Sequence, residues 1–223
     1  MLSRRVPSRF RLTWKDRYPC LEDRTATTSF DHHYIYHTAW AARVLAQLKP
    51  EYHVDISSTL YFCGIVSAFL PVHFYDYRPA DLKLSNLKSS HADLATLPFG
   101  NKSLPSLSCL HVVEHVGLGR YGDPLDPEGD LRALAELQRV IAPGGHLIFA
   151  IPVGRPRIHF NAHRIYAYHQ IVEALPDLRL KQFSLIVDDP AQGMVENASA
   201  DLVDFQNYGC GCFLFQRPVE DRS

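Results

Sequence analysis

Three aspartates stand at the ends of short apolar segments in the first half of the chain: Asp55, Asp76 and Asp93. If these segments are parallel strands, their carboxyl ends meet at one edge of a sheet, which is where open α/β sheets bind ligands. A carboxylate at the end of the second strand can accept hydrogen bonds from both hydroxyls of a ribose. We therefore expect Asp76 to bind a ribose and Asp93 to accept a hydrogen bond from an adenine amine. The alternative for each residue is a solvated carboxylate at a strand end.

A second group of reactive side chains, His111, Glu114 and His115, follows the next apolar segment. Residues 111–115 match H-x-x-E-H, a zinc-protease pattern that requires a helix of several turns. Here an apolar strand leads into the motif, and Gly117 and Gly119 follow it at once. The sequence therefore argues against a protease.

The elements that must position these residues follow from hydrophobic periodicity and turn signals. Helices are predicted over 31–47, 60–69 and 131–141. Strands are predicted over 53–56, 72–76, 107–113, 146–153, 180–187 and 211–216, with a short third strand at 91–94. Alternating strands and helices indicate a parallel sheet covered on both faces, and the last two strands have no predicted helix between them. The predicted fold is α/β: a Rossmann-like, doubly wound, mostly parallel seven-stranded sheet with an antiparallel last strand.

Composition and charge limit the class of protein. Among 223 residues, 23 Lys and Arg against 24 Asp and Glu leave a net charge of -1, so no global field attracts nucleic acid. No apolar run is long enough to span a membrane. Five cysteines without a C-x-x-C pair argue against a disulfide framework and a structural zinc site, and favour the cytoplasm. We expect a basic arm over 1–30 and a single domain over 31–223, whereas the oligomeric state cannot be read from the sequence.

Three segments carry a family resemblance: Asp93–Phe99 (DLATLPF), Ser108–Val116 (SCLHVVEHV) and Ile141–Leu147 (IAPGGHL). In this order they resemble the second half of class I S-adenosylmethionine-dependent methyltransferases, which show D-x-x-x-LPF, a strand ending near E-H, and L-x-PGG. More narrowly, EHVGLGRYGDP and FNAHR resemble a poorly characterised methyltransferase-like subfamily. The resemblance implies S-adenosylmethionine as cofactor and O-methylation of a polar small molecule, such as a glycan or its nucleotide-activated precursor.

The resemblance also assigns roles to individual residues. The cofactor set that it implies is Asp55, Ser57, Thr59, Asp76, Asp93, Leu94 and His111. Methyl transfer to a hydroxyl needs a group that takes the proton, and His115, with Glu114 and His163, is the predicted catalytic set. The alternative for His115 is a packing histidine in a loop.

A divalent metal is a further implication of the resemblance. Some O-methyltransferases carry E-x-x-E-H, whose carboxylates and histidine hold a divalent ion, and here the first acid is replaced by His111. With His163 from a later loop, a set of His111, Glu114, His115 and His163 would suit a transition metal better than magnesium.

Two polar loops are predicted to cover the substrate. The first spans 119–129 and offers Tyr121 and Asp123, and the second spans 155–164. The arginines of the second loop, Arg155, Arg157 and Arg164, could bind an anionic group such as a carboxylate or a sugar-nucleotide phosphate. The alternative is ordinary solvated loop charge. Neither loop is aromatic-rich, so RNA is a poor candidate substrate.

The first motif of the family is the main departure. The family has an acid followed by alternate glycines, whereas here Ser57 and Thr59 follow Asp55 and the next glycine is Gly64. Side chains at these positions would crowd the cofactor, although their hydroxyls could bind its carboxylate. A catalytically degenerate binding or scaffold protein is therefore the alternative function. A nicotinamide-dependent enzyme is disfavoured, because the chain has no G-x-G-x-x-G.

Overall fold

The structure is a computed structural model that describes residues 9–10 and 13–219. Its contacts divide the chain into two units, Met1–Phe30 and Asp31–Ser223. The predicted basic arm lies in the first unit, whose described part contains a single 3-10 turn, Trp14–Asp16. The arginines at 4, 5 and 11 of that arm lie outside the described residues. The second unit holds the sheet and the α-helices.

The second unit is built on an eight-stranded sheet. Its strands are β1 (His53–Ile56), β2 (Val72–Asp76), β3 (Leu87–His91), β4 (Leu104–Leu110), β5 (Ile141–Val153), β8 (Arg179–Ile186), β9 (Met194–Val195) and β10 (Gly209–Gln216), and β6 (Arg157–His159) and β7 (His163–Ile165) form a separate hairpin. The order is β3-β2-β1-β4-β5-β10-β8-β9, parallel from β3 to β5, with β10 antiparallel to both β5 and β8. The predicted fold is confirmed, and the two-residue β9 adds an edge strand that the sequence did not indicate.

Within the described residues, four α-helices cover the two faces of this sheet: α1 (His32–Leu48), α2 (Leu60–Val66), α3 (Gly129–Val140) and α4 (Tyr168–Glu173). Side chains alternate across β5, so that Ile148 and Ala150 pack in one core with α1 and α2. Leu147 and Phe149 pack in the other core with α3 and α4. Asp31 caps α1 by accepting a hydrogen bond from Tyr34 N.

Several predicted element boundaries are wrong, and three of them bear on the site. The third strand is Leu87–His91, earlier than expected, and Asp93 follows it in a turn, as predicted. The fourth strand ends at Leu110, because His111 has a left-handed φ of 59° and a 3-10 turn follows at Val113–His115. The fifth strand begins at Ile141 rather than at residue 146, and residues 143–145 form an irregularity inside it, where the pairing register with β4 shifts.

A buried chain of polar side chains links β1 with β4. Both ring nitrogens of His53 lie 2.8 Å from hydroxyls, Nδ1 from Ser106 Oγ and Nε2 from Ser108 Oγ. Ser108 Oγ in turn donates to Asp55 Oδ2, and Ser58 N donates to Asp55 Oδ1 at 3.0 Å. Burial lowers the pKa of His53 to about 3 and raises the pKa of Asp55 to about 6. In the folded protein His53 is therefore neutral at every pH above about 3.

This pair predicts an unusual response of stability to acid. Between about pH 6 and pH 4 the folded state carries a proton on Asp55, whereas the unfolded state carries one on His53, whose pKa is ordinary there. Both states therefore bind the same number of protons, and the pair does not make the free energy of unfolding depend on pH. In Asp55→Asn only the unfolded state takes up a proton there. We expect the free energy of unfolding of this variant to fall by about 1.4 kcal/mol per pH unit more steeply than that of wild type over this range. Urea unfolding at pH 7, 5 and 4 measures the difference, and parallel pH profiles would contradict it.

Candidate functional site

A cavity of about 500 Å³ opens at the carboxyl ends of β1 to β4. One wall follows the strand ends and consists of Ser57, Asp76, Tyr77, Arg78 and 92–95. The other wall comes from the segment after β4 and the start of α3, and consists of His111, Val112, His115, Val116, Gly117, Tyr121, Asp123, Pro124, Asp126 and Gly129. The cavity therefore lies at the sheet edge where the acids and the histidine motif were expected to meet.

Asp76 and Asp93 reach this cavity from neighbouring strand ends. Asp76 Oδ1 accepts a hydrogen bond from Arg78 N at 2.7 Å, and Asp93 Oδ1 accepts one from Ala95 N at 2.8 Å. These local turns fix both carboxylates at the strand ends. Leu94 lines the cavity beside Asp93. The structure thus brings five members of the predicted cofactor set to this cavity: Ser57, Asp76, Asp93, Leu94 and His111.

The loop after β1 takes the shape that glycine would favour, although it contains none. Ser57 has a φ of 57° and lines the cavity, while its hydroxyl donates to Tyr75 O at 3.2 Å. Thr59 instead caps α2 by accepting a hydrogen bond from Phe62 N at 3.2 Å. Asp55 is fully buried beneath this loop. Of the three residues predicted from the first motif, only Ser57 lines the cavity.

Glu114 lies between the two histidines of the motif. Its Oε1 is 2.9 Å from Nδ1 of His111 and 3.6 Å from Nε2 of His115, and its side chain is completely buried. On the other side of the ring, His111 Nε2 lies 3.2 Å from Cys210 Sγ. Burial alone would lower the pKa of His111, but Cys210 and Glu114 raise it to about 10.

His115 has a ring orientation that leaves one nitrogen for chemistry. Its Nδ1 lies 2.6 Å from Ala162 O, so the Nδ1–H donates to that carbonyl. Arg120 Nη1 donates to the same oxygen at 3.1 Å. Nε2 is then the nitrogen that can accept a proton, with the Glu114 carboxylate beside it.

The loop over 117–126 closes one side of the cavity. The Asp123 carboxylate accepts hydrogen bonds from Gly117 N, Gly119 N and Tyr121 N. Partial burial by itself would raise the pKa of Asp123, but these backbone donors outweigh it and lower the pKa. Gly117 has a φ of 78°, and a Cβ there would lie 2.1 Å from Asp126 O, so the loop requires glycine at this position.

Tyr121 is held over the cavity by cations from two directions. The guanidinium carbons of Arg78 and Arg120 both lie 5.2 Å from the centroid of its ring, and the ring of His115 packs edge-on at 5.7 Å. Arg78 was not predicted as a site residue. The available signal was its position two residues after the strand-end Asp76.

The second predicted substrate loop lies elsewhere. None of Arg155, Arg157 and Arg164 is among the residues that line the cavity. Arg164 is buried, donates to Val116 O at 2.6 Å and lies 3.6 Å from the carboxylate of Asp130. Its hydrogen bond to Val116 O therefore supports the loop after β4. The carboxylate of Asp130 balances its charge, because a buried guanidinium requires such a partner.

His163 lies away from the rest of its predicted metal set. Its ring centroid is 6.4 Å from that of His115 and 5.0 Å from that of Tyr208, and it does not line the cavity. His111 directs its two nitrogens to Glu114 and Cys210 rather than toward His115. The four residues of that set do not converge on one point.

Comparisons with known proteins bear mainly on the fold. Residues 100–175, under half of the chain, match the family described as "Caenorhabditis protein of unknown function, DUF268". No curated protein sequence matches the chain. In the described residues, no helix combines the length and the apolar character needed to cross a membrane.

Solved structures give a closer likeness. A chain of the complex between the Haloferax volcanii Trm112 methyltransferase activator and a candidate methyltransferase superposes with a TM-score of 0.57 at 15% identity, over 86% of this chain and 92% of that one. The N-methyltransferase NodS of Bradyrhizobium japonicum, solved with S-adenosyl-L-homocysteine, gives 0.55 at 14% identity, over 84% and 89%. The [4+2]-cyclase SpnF gives 0.52 at 13% identity, over 81% and 82%. At these identities the likeness establishes the fold alone: the chain has the fold of class I S-adenosylmethionine-dependent methyltransferases.

Proposed function

We propose that this chain is an S-adenosylmethionine-dependent methyltransferase that O-methylates a polar small molecule. One observation carries the proposal: Asp76, Asp93 and His115 line a single cavity at the carboxyl ends of the parallel strands. This cavity occupies the place where sheets of this kind bind a nucleoside-containing ligand. A glycan or its nucleotide-activated precursor is the proposed class of acceptor.

The residues present fit this cofactor. Asp76 would accept hydrogen bonds from the ribose hydroxyls, and Asp93 would accept one from the adenine amine beside the apolar side chain of Leu94. The left-handed backbone at Ser57 is the conformation that a glycine would otherwise supply in the loop after β1. When bound, S-adenosylmethionine supplies an electrophilic methyl group.

His115 would receive the proton of the acceptor hydroxyl. The hydrogen bond from Nδ1–H to Ala162 O fixes the tautomer, so Nε2 presents a lone pair. The imidazolium that forms would be stabilised by Glu114 Oε1 at 3.6 Å. Glu114 is completely buried, so it would act on the acceptor only through His115.

The acceptor would meet polar and cationic groups at the mouth of the cavity. Tyr121, flanked by Arg78 and Arg120, is half exposed there and would contact the acceptor. Arg78 also lines the cavity and would bind an anionic group of the acceptor. Arg155 and Arg157, which the sequence suggested for this task, do not line the cavity.

A binding or scaffold protein without catalysis is the second candidate. Serine and threonine in place of the family's glycines favour it, because hydroxyl side chains occupy the loop that approaches the methionine moiety. The likeness to a [4+2]-cyclase also shows that this fold serves reactions other than methyl transfer.

Calorimetric titration with S-adenosylhomocysteine tests the shared premise of cofactor binding. We expect saturable heat at one ligand per chain and a rise in melting temperature, because ligand that binds only the folded state stabilises it. The absence of both heat and a thermal shift at millimolar ligand would contradict the proposal. Binding without consumption of S-adenosylmethionine over a panel of glycans and sugar nucleotides would favour the second candidate.

A further inference from the structure

We propose that His33, His111 and Cys210 form a zinc site that lies between α1 and the ends of β4 and β10. One ligand atom from each residue, a ring nitrogen or the thiol sulfur, lies within 4.8 Å of the other two. Over residues 13–219 this is the one group of three or more such side chains that converges in this way. The proposed methyl transfer uses neither His33 nor Cys210.

Three distant segments bring these ligands together. His33 lies in the first turn of α1, His111 directly follows β4, and Cys210 is the second residue of β10. The left-handed φ of His111 ends the strand and directs Nε2 to within 3.2 Å of Cys210 Sγ. His111 and Cys210 are buried, and His33 is partly buried beside them.

The donor set selects the metal. Two imidazoles and one thiolate suit a borderline or soft ion such as Zn²⁺, and this set is unsuited to Mg²⁺ or Ca²⁺, which prefer oxygen ligands. Zinc bound by three protein ligands retains a fourth coordination position.

The surroundings of the two histidines match those of metal ligands. A ligating imidazole usually donates its second N–H to a carboxylate or a backbone carbonyl. His111 Nδ1 lies 2.9 Å from the buried carboxylate of Glu114, and His33 hydrogen-bonds to the backbone of Tyr208. His111 therefore has Nδ1 beside such a partner and Nε2 directed to the sulfur of Cys210, and His33 also has such a partner.

A third histidine, His37, lies beside the proposed site. His37 lies one helical turn after His33 on α1, and its ring is stacked on that of His111 with centroids 5.0 Å apart. It is fully buried, and neither ring nitrogen has a hydrogen-bond partner among the described residues. An imidazole buried in this way is costly unless something binds it. His37 is nevertheless outside the group of three converging ligand atoms, so the fourth coordination position of the zinc is left to water.

An ion can reach this site from outside the sheet. A second cavity, of about 560 Å³, is lined by His33 and His111 together with Asp31, Asp188 and Tyr208. His111 also lines the proposed cofactor cavity. Zinc at this position would tie α1 to the strand ends that form that cavity, so its expected role is to fix the N-terminal helix of the domain.

Metal analysis of the full chain, purified without an affinity tag, tests the proposal. We expect one Zn²⁺ per chain, retained through gel filtration and removed by a strong chelator. Titration of the stripped protein with Co²⁺ should give a thiolate-to-cobalt charge-transfer absorption, because a cysteine sulfur is among the ligands. Zinc should also raise the melting temperature of the stripped protein. A stripped chain that binds neither ion would overturn the proposal.

Substitutions identify the ligands. We expect Cys210→Ser to abolish the charge-transfer band, and both Cys210→Ser and His33→Asn to weaken zinc binding by more than tenfold. Glu114→Gln should weaken it by about 10- to 100-fold through His111. Controls are Cys63→Ser, another buried thiol, His73→Asn, a histidine of β2, and His163→Asn from the sequence-predicted set. Equal affinities in the His33 variant and the controls would overturn the assignment, and His33 keeps the test decisive if the Cys210 variant fails to fold.

Discussion

His115→Ala is expected to reduce the rate of methyl transfer by about 10²- to 10⁴-fold, the range for loss of a general base. The proton of a hydroxyl must leave as the new carbon–oxygen bond forms, and Nε2 is the histidine nitrogen that the structure leaves available for it. Affinity for S-adenosylhomocysteine should change little, because the base contacts the acceptor rather than the cofactor. Single-turnover rates at saturating acceptor, with calorimetry of the same variant, measure both quantities.

His163→Ala is the matched control for this prediction. His163 was the other histidine predicted for catalysis, and it lies beside Tyr208 outside the cavity. We expect that variant to retain its turnover. Full turnover in His115→Ala would show that His115 is structural, and a loss confined to His163→Ala would transfer the role to His163.

The central strands could be predicted because buried strands appear in the sequence as short apolar runs. The segments of β1 and β2 were predicted with the bounds that the structure shows, since each is a short apolar run closed by a turn. β3 was placed too late, because this edge strand has the sequence LKSSH and buries only Leu87. An edge strand is held by its backbone pairing with β2, and that pairing leaves no hydrophobic pattern to detect.

The strand-end acids were predictable for a topological reason, whereas the loop contacts were not. Asp76 and Asp93 follow strands whose carboxyl ends must share one edge of a parallel sheet. Arg164 looks like a solvated loop charge in the sequence, and only the fold shows that it is buried against Asp130. The absence of a C-x-x-C pair argued against a zinc site, because such spacing detects only ligands that lie close together in the sequence. In the structure, Cys210 lies near histidines from two other parts of the chain.

Asp76→Ala is expected to weaken binding of S-adenosylhomocysteine by about 1.5 to 3 kcal/mol, which corresponds to about 10- to 150-fold in Kd. The physical reason is the loss of hydrogen bonds from the ribose hydroxyls to a charged acceptor. Calorimetric titration measures the effect, and Asp81→Ala is the matched control because Asp81 is an exposed carboxylate outside the cavity lining. Unchanged affinity in a folded Asp76→Ala variant would remove Asp76 from the site.

The alanine variant also loses the turn that Asp76 Oδ1 makes with Arg78 N, so a weaker Kd by itself does not separate ribose binding from a displaced loop. Asp76→Asn separates the two, because its amide oxygen can still accept from Arg78 N while the charge and the second acceptor oxygen are lost. Affinity close to wild type in Asp76→Asn would assign the effect to the loop, whereas a substantial loss would assign it to the ribose. The sharper test uses the 2′-deoxy analogue of S-adenosylhomocysteine. If Asp76 binds that hydroxyl, the analogue should bind wild type more weakly than the parent ligand does. The two ligands should bind Asp76→Ala equally well, because this variant has no carboxylate with which the 2′-hydroxyl could form a hydrogen bond. An equal penalty for the analogue in both proteins would mean that the 2′-hydroxyl is bound elsewhere in the cavity.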